Sequence, residues 1–285
     1  MSIYAKVLLP SLNLLRDLYR ETNTPQDTLS RVIVMPTADY IYNVVLGKKY
    51  GAKSMEIGFG SADYDFVKTL MNAPLLEVAS ALLPSGNFQE RSMGIAALSA
   101  ASKPFTTSEA LGHRGIVEGL SYRKLIKRED IVTVVGLGID YEYLSFLESL
   151  SLLKKLYVTD MRGKKSLLPF VIQDDSMFFY AHGELRPSSD NEFCIGQSNV
   201  VAITASSLVN DTFMDLLSYV KNAREIALYG FTGDFIPDIL FSMGITSVEP
   251  IDISYDCLNQ LECNNDAHLS GIKPALVSKV YRLAH

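Results

Sequence analysis

Ile131-Val-Thr-Val-Val-Gly-Leu-Gly-Ile-Asp140 is the stretch on which the fold of this chain turns. Its first five residues, Ile131 to Val135, are β-branched and nearly all aliphatic, as in a strand covered on both faces rather than one with a solvent side. Gly136 and Gly138 supply a tight turn, and Asp140 opens a helical pattern running to Leu150. Backbone amides at such a turn can face an anionic or polar ligand. The third glycine of the dinucleotide fingerprint is replaced by Tyr141, so the turn can also be purely structural.

Downstream, the same rhythm repeats. Lys155 to Thr159, Val200 to Thr204, Glu225 to Tyr229 and Ser247 to Glu249 read as further buried strands, with helical patterns between them. Strand and helix in alternation predict parallel βαβ packing. From Ser207 to Val220, the apolar residues Val209, Phe213, Leu216, Leu217 and Val220 fall on one face of a predicted helix. Arg162 to Gln197 is less regular, with a short strand expected at Met177 to Tyr180.

Upstream, Arg31 to Met35, Tyr40 to Leu46 and Lys53 to Phe59 read as three strands of a small antiparallel sheet, and Leu75 to Leu83 and Phe88 to Ala101 as helices. The expected fold class is α/β, a Rossmann-like parallel-sheet C-terminal domain preceded by a smaller α+β domain. The expected boundaries are 1–102 for the small domain, 103–129 for an interdomain connection and 130–285 for the Rossmann-like domain. The basic stretch Arg123, Lys124, Lys127, Arg128 closes the connection and reads either as a solvated helix face or as an anion site.

Composition narrows the function. The chain has 285 residues, 48% hydrophobic and 20% charged, enough to bury a substantial core. A net charge of −6 argues against nucleic acid as the partner, because neutralising phosphates needs a clustered basic surface. The opening MSIYAKVLLPSLNLLRDLYRE is interrupted by Pro10 and Asn13 and carries Arg16, Asp17 and Arg20, so an amphipathic helix is expected there, with no membrane span and no signal peptide. Cys194, Cys257 and Cys263 are sparse and odd in number, which suits a reducing cytoplasm better than a disulfide framework.

Candidate site residues cluster at the predicted carboxyl ends of the strands. Asp160 ends the second strand about 20 residues beyond the glycines, where an acidic residue accepts hydrogen bonds from a ribose diol; it can equally cap the strand or pair with Arg162. Thr204, Ser206, Asn210 and Thr212 lie where a strand gives way to the predicted helix, a place suited to capping and to binding a polar ligand group. Gly230 and Thr232 form a third loop at the same edge. His113 and His182 sit in glycine-flanked loops and, with Asp160, are the side chains suited to a divalent metal. Cys257, Cys263 and His268 are too loosely spaced for a structural zinc site. Neither a Gly-x-Ser-x-Gly elbow nor a Walker A loop is present.

The runs Ser85 to Ala100, Val134-Val-Gly136, Thr204 to Thr212 and Gly230 to Pro237 resemble the putative heavy-metal chelation family over roughly Tyr40 to Glu262. The resemblance implies a small domain similar to the N-terminal domain of enolase joined to a Rossmann-like domain, with a site between them. It also implies Asn87, Arg91 and Gly94 on the small domain's side of that site. Arg91 would there pair with an anionic ligand group, or else form an ordinary salt bridge to Glu77 or Glu90.

Two function classes follow. One is a two-domain protein binding a small polar ligand, a metal chelate or its precursor, in the interdomain cleft. The other is a transferase using S-adenosylmethionine or another adenosine-containing cofactor. A third expectation, a regulatory or scaffold protein with a vestigial cleft, predicts a homo-oligomer that responds to no ligand.

Overall fold

The computed structural model describes residues 2–36, 40–57, 65–136, 152–162, 183–253, 255–260 and 276–284. Gly138, His182, the expected helix Asp140 to Leu150 and the expected strand Met177 to Tyr180 lie outside the described residues, as do Cys263 and His268.

The N-terminal part follows the amphipathic pattern. Helix Leu9–Thr22 buries Leu12, Leu15 and Tyr19 and leaves its charged residues in solvent. Strands β1 (Leu29–Pro36), β2 (Tyr40–Gly47) and β3 (Gly51–Ile57) form an antiparallel sheet in which Val32 faces Val45 and Val44 faces Lys53. The β2–β3 turn is held by the Asp27 carboxylate, which accepts from the backbone N–H groups of Lys48, Lys49 and Tyr50, each at 2.9 Å. Helix Phe88–Ser102 packs on this sheet and on helix Leu75–Leu82. The two helices approach closely because Gly94 lacks a side chain: a Cβ there would lie 2.8 Å from the backbone nitrogen of Leu83.

Among the described residues the larger sheet has eight strands. β4 (Ile116–Glu118), β5 (Asp130–Val135), β6 (Leu153–Asp160), β7 (Glu184–Pro187), β8 (Val200–Thr204), β9 (Glu225–Tyr229) and β10 (Ser247–Glu249) precede a two-stranded ribbon of β11 (Ile251–Ile253) and β12 (Leu276–Ser278). β13 (Tyr281–Leu283) then returns to the sheet, whose order is β4-β13-β10-β9-β8-β5-β6-β7. β5 to β10 are parallel, while β13 and β4 complete one edge antiparallel. The six parallel strands have the 3-2-1-4-5-6 order of a doubly wound dinucleotide-type sheet, which reverses direction between β5 and β8.

The helix expected over Ser207 to Val220 is shorter. A 3-10 turn spans Ala205–Leu208 and an α-helix only Phe213–Ser218. Asp211 stands between them in the left-handed region at φ 64°, and Asn210 Oδ1 accepts from the N–H and Oγ1–H of Thr212. Local side-chain bonding of this kind competes with the helix. The apolar spacing nevertheless serves its purpose, since Val209, Phe213 and Leu216 are buried.

One apolar cluster runs through both halves, from Leu12, Leu75 and Leu98 to Val201, Phe213 and Leu240. The segment 103–129 is woven into this assembly, with Ile116–Glu118 supplying the edge strand β4. The basic stretch belongs to a 3-10 turn, Tyr122–Leu125, and the following loop rather than to a helix face; Lys124, Lys127 and Arg128 are exposed.

Candidate functional site

A cavity of about 210 Å³ opens at the carboxyl ends of β5, β6 and β8, where the sheet reverses. It is lined by residues of the Rossmann-like half, among them Gly136, Asp160, Thr204, Asn210 and Thr212 of the expected set. Open α/β sheets place ligands in such a crevice because adjacent loops diverge there to opposite faces.

β5 ends at Gly136, whose φ of +86° suits glycine, and a Cβ at that position would meet Thr204 Cγ2 at 2.8 Å. The Gly136 N–H donates to Thr159 O at 2.7 Å, so this amide extends the ladder and does not face the cavity as a free anion donor. Tyr229 Oη donates to the carbonyls of Val135 and Gly136 at 3.0 and 2.7 Å, fixing the turn from the β9 side.

β6 delivers Asp160, buried, with both carboxylate oxygens engaged by Arg162. The Arg162 N–H and Nε reach Oδ1 at 2.8 and 2.9 Å, and Nη2 reaches Oδ2 at 2.7 Å. The pairing alternative open in the sequence is the arrangement found. A ribose diol would have to compete with a bidentate guanidinium for the same oxygens.

From β8, Thr204 Oγ1 lies 3.3 Å from Ser206 Oγ, and Ser207 Oγ donates to Thr204 O at 2.6 Å. Ser206 is buried and does not line the cavity, whereas Ser207 does. Asn210 Nδ2 lies 3.2 Å from Met161 Sδ, closing the span between the β6 and β8 loops. Thr159, Met161, Ser188, Asn191, Asp215 and Tyr219 complete much of the lining and were not singled out in the sequence. Thr159, next to Asp160 at a strand end, could have been found there. Ser188 and Asn191 follow β7, and only its pairing with β6 brings them to this edge.

The other candidates do different work. Gly230 turns the chain at φ +107°, and Thr232 Oγ1 accepts from the Met55 N–H at 3.1 Å, tying the turn after β9 to β3. Asn87 caps helix Phe88–Ser102, its Oδ1 accepting from the N–H groups of Gln89 and Glu90. Arg91 is not salt-bridged to Glu77 or Glu90: it donates to Ser85 O through Nε and Nη2 and to Val209 O through Nη1. Gly94 serves helix packing. His113 caps the end of helix Ser108–Gly112 and is exposed.

Titratable groups with unusual environments lie along the contact between the small sheet and the β9 turn. Lys53 is buried, its Nζ makes no hydrogen bond among the described residues, and that atom lies 3.6 Å from the Tyr42 ring centroid and 4.3 Å from that of Phe231. Burial lowers its amine to about 7. Asp234 is pushed up to about 6 because burial outweighs its ion pair with Lys103. Lys103 also reaches Asp252 Oδ1 at 2.7 Å; burial opposes its charge, but the two carboxylates hold its pKa above the ordinary lysine value.

No group of three His, Cys, Asp or Glu side chains able to hold a metal ion occurs among the described residues. The cavity's donors there are hydroxyls, amides, the Arg162-bound Asp160 and Asp215. This set does not fit a bare soft or borderline ion, which takes imidazole and thiolate ligands. No described helix is long and apolar enough to cross a membrane.

No curated protein matches the sequence. Among solved structures, a protein with unknown function from the DUF364 family of Desulfitobacterium hafniense superposes with a TM-score of 0.66 at 19% identity, covering 94% of this chain and 98% of that one. A second, from the same family in Pyrococcus horikoshii, gives 0.62 at 17% identity, covering 95% and 98%. At such identities the likeness concerns the fold. Residues 124–254, which include β5 to β10 and the cavity loops described above, match the DUF364 family model, described as putative heavy-metal chelation.

Proposed function

We propose that the protein binds a small polar organic ligand, a metal chelate or the precursor of one, in the cavity at the carboxyl ends of β5, β6 and β8. The observation that carries this is the meeting of Gly136, Thr204, Asn210 and Thr212 around a cavity at the point where the sheet order reverses. The donor set favours an organic ligand over a naked ion, because hydroxyls and amides recognise polar groups and a metal would arrive already coordinated. The small domain contributes by holding the β8 loop, through Arg91 and Val209, rather than by lining the cavity. A transferase using an adenosine-containing cofactor is the less favoured reading, since Arg162 occupies the carboxylate that a ribose would need.

A thermal-shift screen of the full chain with divalent ions, preformed metal chelates, their free organic ligands and S-adenosylmethionine tests this. Binding to the native state raises the melting temperature with ligand concentration. Stabilisation by organic ligands or chelates, reduced in Thr204→Val and Thr212→Val, is expected. Stabilisation by bare ions alone, or by S-adenosylmethionine alone, would contradict the proposal.

A further inference from the structure

Two residues that line the cavity each carry a side-chain atom without a hydrogen-bond partner among the described residues. Thr159 Oγ1 is buried on a residue with no exposed surface and makes no hydrogen bond; Asn191 Oδ1 is likewise buried and without a donor. Buried polar atoms are normally partnered, so two such atoms on one cavity wall call for groups from a ligand. An amide oxygen only accepts, and a threonine hydroxyl both donates and accepts. Asn191 Oδ1 therefore matches a ligand O–H or N–H and not a deprotonated phosphate or carboxylate oxygen, whereas Thr159 Oγ1 can serve a donor or an acceptor.

Among the described residues, several backbone amides of this sheet edge are already engaged. Gly136 N–H is bonded to Thr159 O, and the Thr212 N–H to Ser207 O and Asn210 Oδ1. The N–H groups of Val209 and Asn210 both point to Ser206 O. Asp215 adds an acceptor to the wall, and Val135, Met161, Leu216 and Tyr219 give it an apolar side against which carbon–hydrogen faces of a ring can lie.

We infer that the cavity selects an uncharged, polyhydroxylated small molecule, sugar-like or nucleoside-like, through Thr159, Asn191 and the Thr204 and Thr212 hydroxyls. This rests on the cavity being the ligand site and adds the chemical class that it takes. Asn191 Oδ1 discriminates: it offers a partner to a ligand hydroxyl and none to a deprotonated oxyanion.

Isothermal titration of the full chain with D-ribose, myo-inositol and adenosine, each beside its monophosphate, tests the inference. At least one neutral compound is expected to bind, and more tightly than its phosphate. Thr159→Val and Asn191→Leu, which keep shape and remove an unpartnered polar atom, are expected to weaken that binding by about tenfold each with the apo melting temperature unchanged or raised. Tighter binding of the phosphates, or neutral binding indifferent to both variants, overturns the inference while leaving a ligand site in the cavity. Binding of metal chelates with none of the neutral compounds also overturns it and leaves the broader proposal standing. Failure of every compound, chelates included, removes both.

Discussion

Arg91 Nη1 donates to the carbonyl oxygen of Val209 at 2.9 Å, joining helix Phe88–Ser102 to the loop that forms one wall of the cavity. The same guanidinium holds Ser85 O through Nε and Nη2, so one buried side chain fixes the entry of its own helix and the β8 loop together. Arg91→Met keeps the packing volume but leaves both carbonyls without this donor. A loss of about 1–3 kcal/mol in denaturant unfolding is expected, together with faster amide exchange over residues 204–212. Unchanged exchange in that loop would show that the contact does not hold it.

Gly136→Ala places a methyl against Thr204 Cγ2 at a backbone φ of +86°. A destabilisation of about 1–3 kcal/mol is expected from the backbone conformation and the contact. Adding Thr204→Ser removes Cγ2 but leaves Cβ at 3.0 Å, so the double variant should recover part of the steric cost and none of the backbone cost. A denaturation series of the two single variants and the double measures that coupling.

Lys103 bridges Asp234 and Asp252 in a buried cluster. Lys103→Met leaves two carboxylates without this cation and is expected to cost about 3–5 kcal/mol near pH 7.5. Asp234, raised from 3.8 to about 6, binds a proton more readily folded than unfolded. Its own contribution therefore favours the fold increasingly as pH falls from about 6 toward 4 and is lost as pH rises through 6. The Lys103→Met deficit should accordingly shrink at pH 5, and Asp234→Asn should flatten the wild-type profile between pH 4 and 6. Chemical denaturation across that range reads both.

Lys53 has the opposite linkage. Its amine, lowered from 10.5 to about 7, binds a proton less readily folded than unfolded. The cost of burying it is complete below pH 7 and fades as pH rises from 7 toward 10.5. Contact with the Tyr42 and Phe231 rings offsets part of it, by about 0.5–2 kcal/mol. Lys53→Met is expected to raise the melting temperature by a few degrees at pH 6.5 and to abolish the rise in stability between pH 7 and 9.5. A lower melting temperature at both ends would mean that the ring contacts outweigh the burial.

The larger sheet was legible because its central strands are apolar on both faces. Val200–Thr204, Glu225–Tyr229 and Ser247–Glu249 have the expected bounds, and β5 and β6 begin only one and two residues earlier than expected. The antiparallel strands β4 and β13 were not legible: each has three residues, and their pairing joins positions more than 160 apart. The helix beginning at Ser207 was overread because apolar spacing continues through Asn210-Asp211-Thr212, where side-chain bonding and a left-handed residue break the backbone. Of the cavity lining, Gly136, Asp160, Thr204, Asn210 and Thr212 were legible as candidates, all at strand ends or in the loop after β8. Ser188 and Asn191, which reach the cavity through sheet pairing alone, were not legible. Nor does sequence distinguish an arginine poised for a ligand from Arg91, whose partners are backbone carbonyls.

The most direct test is a diffraction experiment on crystals of the full chain soaked with whichever compound raises the melting temperature. The account predicts ligand density in the cavity between Gly136, Thr159, Asn191 and Thr204, within hydrogen-bonding distance of Thr159 Oγ1 or Asn191 Oδ1. Density at another surface, with this cavity holding only solvent, would contradict it.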